Sequence, residues 1–470
     1  MSLLAQRHYA TMHALALVID PYLGRTGDDE IWRSFAARRR RRTMKHALNA
    51  AWPRRNVLRL PILAAASALA PRVACAEQQE AAEGASAPAV SVDAATFEEV
   101  WQTVRDRFYD PHLHGLDWPA VRERYLPEVA RAASAEAMAN VINRMLSELH
   151  ASHTHYYTSD EPAYYQLADI FAGALRRRGL ERSFPGGRIS YPGIGVLSRV
   201  DAERGSIVTG VVDGTPARQA GLFPGDRITL ADGAPFAPVR SFRDKVGKPV
   251  VLAVQRAGSM MQIPVTPFDI EPNKMFLDGM TASARVIQAN GRRIGYVHVW
   301  SYAGYAYQRA LERLLAEGAL KDADALIWDL RDGWGGAVPE YLDLFNTRAP
   351  TMQVIDRNGA EGFENMKWRK PVAMLINGGT RSGKEILAYG FKKYRLGEVI
   401  GTRTEGAVLA ATAFLIGGGL LLLAVEDVRV DGERLEGVGV TPILEVPSGR
   451  SSAPGNDPQL DRAVALLSEA

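Results

Sequence analysis

The spacing of apolar and polar positions divides the chain into three textures. From Phe97 onward, Phe97, Val100, Trp101, Val104 and Phe108 recur at three- and four-residue steps, which puts them on one face of a helix. A second stripe, Ala139, Ile142, Met145, Leu146 and Leu149, predicts an amphipathic helix over 135–149. It runs into His150-Ala151-Ser152-His153-Thr154-His155, a polar stretch expected to begin a loop or strand.

From about 191 to 267 short β-branched runs are separated by glycine. Residues 206–212 alternate as a strand does, and Thr215-Pro216-Ala217-Arg218-Gln219-Ala220-Gly221-Leu222 reads as a short helix stopped by glycine. A turn and strand over 225–230, a hairpin turn at Asp232-Gly233, and strands over 250–255 and 261–265 complete the set. Beyond Arg293 strands and helices alternate. Strands are predicted over 294–300, 325–330 and 372–376, with helices over 308–316 and from Gly383 to about Tyr394. The second strand ends at Asp332-Gly333-Trp334-Gly335-Gly336 and the third at Gly378-Gly379-Thr380-Arg381-Ser382. In such an α/β layout, chemistry is expected at the carboxyl ends of the strands.

A chain of 470 residues exceeds one ordinary hydrophobic core, so two or three folded units are expected. Hydrophobic residues at 47% and charged residues at 23% fit a soluble globular protein. The net charge of +3 owes its sign to a basic leading stretch, 38–42 with Arg54, Arg55 and Arg59, so it argues for no nucleic-acid partner. Cys75 is the single cysteine, which excludes an intramolecular disulfide and a cysteine-based metal site.

The apolar run 57–70 is shorter than the ~20 residues needed to cross a bilayer. Arginines precede it, and Ala74-Cys75-Ala76 follows as a small-x-small cleavage site, the order of a signal peptide. Arg54-Arg55-Asn56-Val57-Leu58-Arg59 also fits the twin-arginine pattern. A periplasmic or secreted protein is therefore expected, with no stable membrane span after signal removal. The long stretch ahead of the apolar run makes Met44 an alternative start to Met1. The composition of 77–92 suits a flexible linker. The expected organisation is a leader over 1–76, a linker over 77–92, a helical domain over 93–180, a β-rich domain over 186–270 and an α/β domain over 280–460.

Ser382 follows a strand and opens a helix, so its hydroxyl is exposed beside free helix amides. Gly383 first among these, and the bare backbone at Gly335 and Gly336, could stabilise a developing oxyanion. Two other readings share this segment. Ser382-Gly383-Lys384-Glu385 is also a capping box. Gly378 with Gly383-Lys384 matches most of a phosphate-binding loop, but Glu385 stands where Ser or Thr should hold magnesium. The spacing of His150, His153 and His155 matches no common zinc site, and no metal or other cofactor is expected.

The order of motifs carries a resemblance. Gly193-Ile194-Gly195-Val196, Thr215-Pro216-Ala217, Ala220-Gly221-Leu222 and Gly225-Asp226 resemble a PDZ domain. That resemblance makes Gly193, Ile194, Gly195 and Val196 the loop holding a peptide's C-terminal carboxylate. Residues 329–336, 377–385, 401–406 and 435–442 resemble the motifs of the tail-specific, or C-terminal processing, serine proteases. The fold implied is an α/β crotonase/ClpP-like peptidase core with an N-terminal helical segment and an inserted PDZ domain.

One departure matters. Ser/Lys members of that family carry a lysine general base where this chain has Ala407. The tricorn-type branch instead uses a Ser-His-Ser-Glu tetrad, and Ser152-His153 with Glu436 resembles it. The resemblance implies that His153 takes the proton of Ser382, Ser152 fixes the imidazole tautomer and Glu436 orients Ser152. The expected partner is a protein or peptide substrate, with oligomerisation left open. An inactive peptidase-like PDZ scaffold is the alternative. Lys384, two residues from Ser382 on the helix, is expected to point to a different side.

Overall fold

The computed structural model describes residues 92–201, 205–364, 366–447 and 456–469. The leader motifs at 54–76 and all but the last residue of the 77–92 linker lie outside the described residues. Among the described residues, no helix is long and apolar enough to cross a membrane.

The described residues begin with three helices, α1 (Val92–Arg107), α2 (Trp118–Val129) and α3 (Ala135–Ser147). Helix α3 starts where the Ser134 hydroxyl accepts the Ala137 amide at 3.1 Å, satisfying one of the free donors of the first turn. Its apolar stripe buries Ile142, Met145 and Leu146 against Phe97, Val100 and Val104 of α1. A short strand β1 (His155–Tyr157) and helix α4 (Pro162–Ile170) follow.

The next segment is the β-rich domain. It comprises β2 (Tyr191–Gly193), β3 (Val196–Asp201), β4 (Gly205–Val211), helix α5 (Pro216–Gln219), β5 (Arg227–Ala231), β6 (Ala234–Pro235), β7 (Val250–Arg256), β8 (Ser259–Val265) and β9 (Phe268–Ile270). Strands β3-β4-β5-β7-β8 form one antiparallel sheet, with β6 paired to β5. Asp232 and Gly233 both take positive φ in the turn joining β5 to β6, as a type I′ hairpin requires. Strands β2 and β9 pair at the base of the domain, where the chain enters and leaves it. Val212 and Val239 pack into the same apolar core as Trp300 and Leu326 of the following domain.

That domain contains α6 (Pro272–Ser283), β10 (Arg285–Ala289), β11 (Arg292–His298), α7 (Tyr305–Ala316), β12 (Ala325–Asp329), the hairpin β13 (Met352–Ile355) and β14 (Glu361–Glu364), β15 (Val372–Ile376), α8 (Gly383–Lys393), β16 (Glu398–Gly401), β17 (Ala410–Ile416), β18 (Gly419–Glu426), β19 (Leu444–Glu445) and α9 (Pro458–Glu469). Its sheet runs β10-β11-β12-β15-β16-β19, parallel from β11 to β19 with β10 antiparallel at the edge. Every residue of β12 and β15 is buried, which explains the unbroken apolar runs seen in the sequence. Leu326, Trp328, Met374 and Ile376 face α7 and α8, whereas Ala325, Ile327, Ala373 and Leu375 face α9.

The hairpin β17–β18 leaves this sheet and joins β1 through the register Tyr156↔Leu421. Leu421 and Leu423 pack on α1–α3, while Leu420 and Leu422 pack on α4. Covered on both faces, it shows no clean polar alternation. The hairpin fixes the loop between α3 and β1, which carries Ser152 and His153, beside the chain that runs from β16 to β17.

Candidate active site

Strands β12 and β15 are neighbours in the sheet, so the loops at their carboxyl ends meet. The β12 loop turns through Asp332 at φ 55 and Gly333 at φ 73. A side chain at Gly333 would collide with the Trp300 carbonyl, so glycine is required there. A Cβ on Gly335 would stand 2.5 Å from Ser382 Cβ and 2.9 Å from the Gly383 nitrogen, so Gly335 lies directly against the Ser382 turn. Gly336 packs instead toward Ala303, and Gly383 is covered by the backbone of Ala337.

Ser382 occupies the N-cap position of α8 at φ 57, ψ −131. A β-carbon in that region strains the backbone by ~1–3 kcal/mol, which surrounding contacts must offset. They do so at its amide, which donates to the Ala407 carbonyl at 2.8 Å and to Glu385 Oε2 at 3.1 Å. Glu385 is buried and also accepts from Thr404 Oγ1 and from the amides of Gly406 and Ala407, at 2.7 and 2.8 Å for the amides. Burial pushes its carboxyl up from the usual range, and these donors oppose the shift. Glu385 thus ties the Ser382 turn to the 404–407 loop, a second use for a residue first read as a cap.

Three predicted residues meet next to that loop. Glu436 Oε2 accepts the Ser152 hydroxyl at 2.9 Å, and Glu436 Oε1 accepts the Ser152 amide at 3.0 Å. The same carboxylate receives the amides of Val408 at 2.8 Å and Leu409 at 3.2 Å. The Ser152 oxygen lies 3.0 Å from His153 Nδ1. Its single hydrogen is given to Glu436, so the oxygen accepts Nδ1–H, and the free lone pair of the imidazole is then on Nε2. His153, at φ 52, lines a cavity of about 250 Å³ with His155, Tyr157, Arg381, Glu405 and Ala407. Arg381 directly precedes Ser382, and Ala407 is the residue that receives its amide. Burial lowers the His153 pKa to about 4, the Arg381 charge adds to the fall, and Glu436 opposes it. Ala407 leaves no protonatable group at its position.

The other two histidines stand apart from this relay. His155 lies 3.2 Å from Asn143 Nδ2 and 4.5 Å from the Tyr157 ring. His150 is exposed on the loop. Arg381 pairs with Glu405 at 2.8 Å and sits 5.2 Å over the Trp334 ring. Trp334 Nε1 donates to Gln166 Oε1 at 2.8 Å, and Gln166 in turn donates to the Tyr191 hydroxyl at 3.1 Å. Neither Arg381 nor Gln166 was singled out from the sequence, where no local pattern marks them.

Lys384 is not at the surface. It is fully buried, and its amine donates to the Asp332 carbonyl at 2.7 Å and the Trp300 carbonyl at 3.4 Å. Burial lowers its pKa to about 7, with Asp332 and Asp329 opposing. Asp332 is held by Asn377, whose Nδ2 donates to it at 3.0 Å.

The predicted carboxylate loop of the β-rich domain lies at the start of its edge strand β3. Ile194 is buried, its carbonyl accepts the Ala217 amide at 2.9 Å, and the Gly195 carbonyl accepts Val212 at 3.0 Å. Gly195 takes φ 86 with Thr215 packed against its α-carbon, leaving no room for a side chain. Gly193 closes β2, and Val196 begins β3.

Three segments of the chain match known protein families. Residues 293–446 match peptidase family S41, 94–147 match the tricorn protease C1 domain, and 192–266 match a PDZ domain. Tricorn protease homolog 1 of Streptomyces coelicolor is 26% identical over 389 residues, covering 79% of this chain and 34% of that protein. Carboxyl-terminal-processing peptidase 2, chloroplastic, of Arabidopsis thaliana is 25% identical over 374 residues, covering 75% of this chain and 68% of that one. A photosystem II D1 C-terminal processing protease structure aligns at 20% identity and a TM-score of 0.46, over 81% of this chain and 98% of that chain. The chain spans about a third of the length of the tricorn homologues it matches. Residues 293–446 thus form a peptidase family S41 domain, of a family whose members are serine peptidases, and the chain also carries a tricorn C1 segment and a PDZ domain.

Proposed function

We propose that this protein is an exported serine endopeptidase that hydrolyses peptide bonds through an acyl-enzyme on Ser382. The observation that carries the reading is the Ser152–His153–Glu436 relay, which leaves His153 Nε2 as the free base in the cavity beside the Ser382 turn. In this mechanism His153 Nε2 takes the Ser382 hydroxyl proton as Oγ attacks the scissile carbonyl carbon. The carbonyl oxygen gains the negative charge, and amides of Gly335, Gly336 and Gly383 are the candidate donors to it. The C–N bond then breaks, and the leaving amine takes the proton from His153. Water, deprotonated by the same imidazole, hydrolyses the ester and returns Ser382. Glu436 offsets the charge of the transient imidazolium through Ser152.

The PDZ domain is proposed to hold substrate C-termini or to gate the site. The leader pattern at 54–76 supports export to the periplasm or beyond.

The test is labelling with a fluorophosphonate probe together with hydrolysis of fluorescein-labelled casein. Wild type is expected to label and to cleave, and Ser382→Ala to do neither. A folded wild type that does not label would overturn the enzymatic reading and leave the peptidase-like PDZ scaffold, which the alanine at 407 would then explain.

A further inference from the structure

Three backbone carbonyls in or against the loop after β12 each have a side-chain or backbone donor. The Arg331 carbonyl accepts His298 Nε2 at 2.8 Å. The Trp300 carbonyl accepts the Trp334 amide at 2.8 Å. The Asp332 carbonyl accepts Lys384 Nζ at 2.7 Å, and the same amine reaches Trp300 at 3.4 Å. Asp332 and Gly333 are the two left-handed residues that reverse the loop so that Gly335 lies against Ser382. A fully buried amine is costly without partners, so its place here is set by the carbonyls it serves.

We propose that Lys384 is a positioning residue, a strut from the nucleophile helix to the loop that presents the Gly335 amide to the oxyanion. The strut rises from α8 two residues after the nucleophile, so it fixes the distance between Ser382 and its facing donor as a single rigid unit. The phosphate-loop reading of this segment does not fit, because the lysine amine is spent on main-chain oxygens. The inference rests on the serine peptidase reading, and the two fail separately.

The experiment measures the maximal inactivation rate and the inhibition constant of a fluorophosphonate for wild type, Lys384→Met and Lys384→Gln, each checked for folding by circular dichroism. A misplaced oxyanion donor costs on the order of 10²-fold in rate. Lys384→Met, which keeps most of the side-chain length and loses the donor, is expected to lose about that factor in maximal rate with the inhibition constant within about threefold. Lys384→Gln keeps an N–H donor and is expected to recover part of the loss. The pH midpoint of inactivation is expected to stay at the wild-type value in both, because His153 remains the base. Lys384→Met inactivated at the wild-type rate would overturn the strut, and so would loss of the pH midpoint, which would make Lys384 the base. If Lys384→Met does not fold, wild-type inactivation of Lys384→Gln at every pH, despite its shorter side chain, would overturn it equally. A wild type that never labels overturns the peptidase reading instead.

Discussion

Glu436 grips Ser152 twice across 284 residues of chain, accepting its amide on one carboxylate oxygen and its hydroxyl on the other. The double contact fixes the serine rotamer, and the serine fixes the ring of His153. Removing the hydroxyl alone and removing the carboxylate therefore differ in kind. Ser152→Ala is expected to slow casein hydrolysis by about 10²-fold, within the ~10²–10⁴ that positioned proton transfer contributes, with a small change in Tm. Glu436→Ala is expected to cost similar activity but a larger drop in Tm, because the Ser152, Val408 and Leu409 amides lose their acceptor together. Equal Tm values for the two variants would contradict the shared-acceptor arrangement.

In the proposed mechanism His153 sets the pH behaviour. A base must be neutral to accept a proton, and burial with the Arg381 charge lowers this imidazole to about 4. Activity is expected to persist below the ~6.5 of an ordinary histidine and to fall only near pH 4. Stability follows the same group. Between about 6.5 and about 4 the unfolded chain binds the proton and the folded chain does not, so stability is fully present above that window and declines as pH falls through it. The His155 shift, also downward through burial, acts in the same direction. Urea midpoints at pH 7 and pH 5 measure the decline, and His153→Ala should shrink it. His153→Ala is expected to lose hydrolysis by orders of magnitude, whereas His150→Ala retains it, and His155→Ala chiefly lowers Tm.

Arg331 is the third point of test. It is fully buried, pairs with the equally buried Asp329, and reaches Asp457 at 2.7 Å ahead of α9. Arg331→Met leaves Asp329 charged and buried without its cation. The expected cost is ~3–5 kcal/mol, read as a lower urea midpoint. A midpoint within experimental error of wild type would show that the pair contributes little.

The sheet and the Ser382 turn were legible because their causes are local. Residues 372–376 form an unbroken apolar run, and the glycine cluster after it marks the turn into α8. Ser152 and His153 are adjacent in the chain, so a motif could carry both, and Glu436 followed from the order of later motifs. Lys384 was only half legible. Its place in the first turn of α8 was readable, but its burial comes with carbonyls of Trp300 and Asp332, 84 and 52 residues away. The β17–β18 hairpin escaped notice for a related reason. Its leucines are covered by α1–α3 on one face and α4 on the other, which erases the alternation that would mark a strand. Gln166 and Trp334 meet only through the fold.

Trp300 has one neighbour whose identity reaches beyond this site. A Cβ on Gly210 of strand β4 would stand 2.7 Å from the indole ring, and the Trp300 carbonyl lies against Gly333 on the other side. A chimera that exchanged 192–266 for a foreign PDZ domain would therefore have to supply glycine at the 210 position. Any larger residue would wedge the indole toward the Gly333 turn, so compatibility of a grafted domain is decided at a seam remote from its peptide groove.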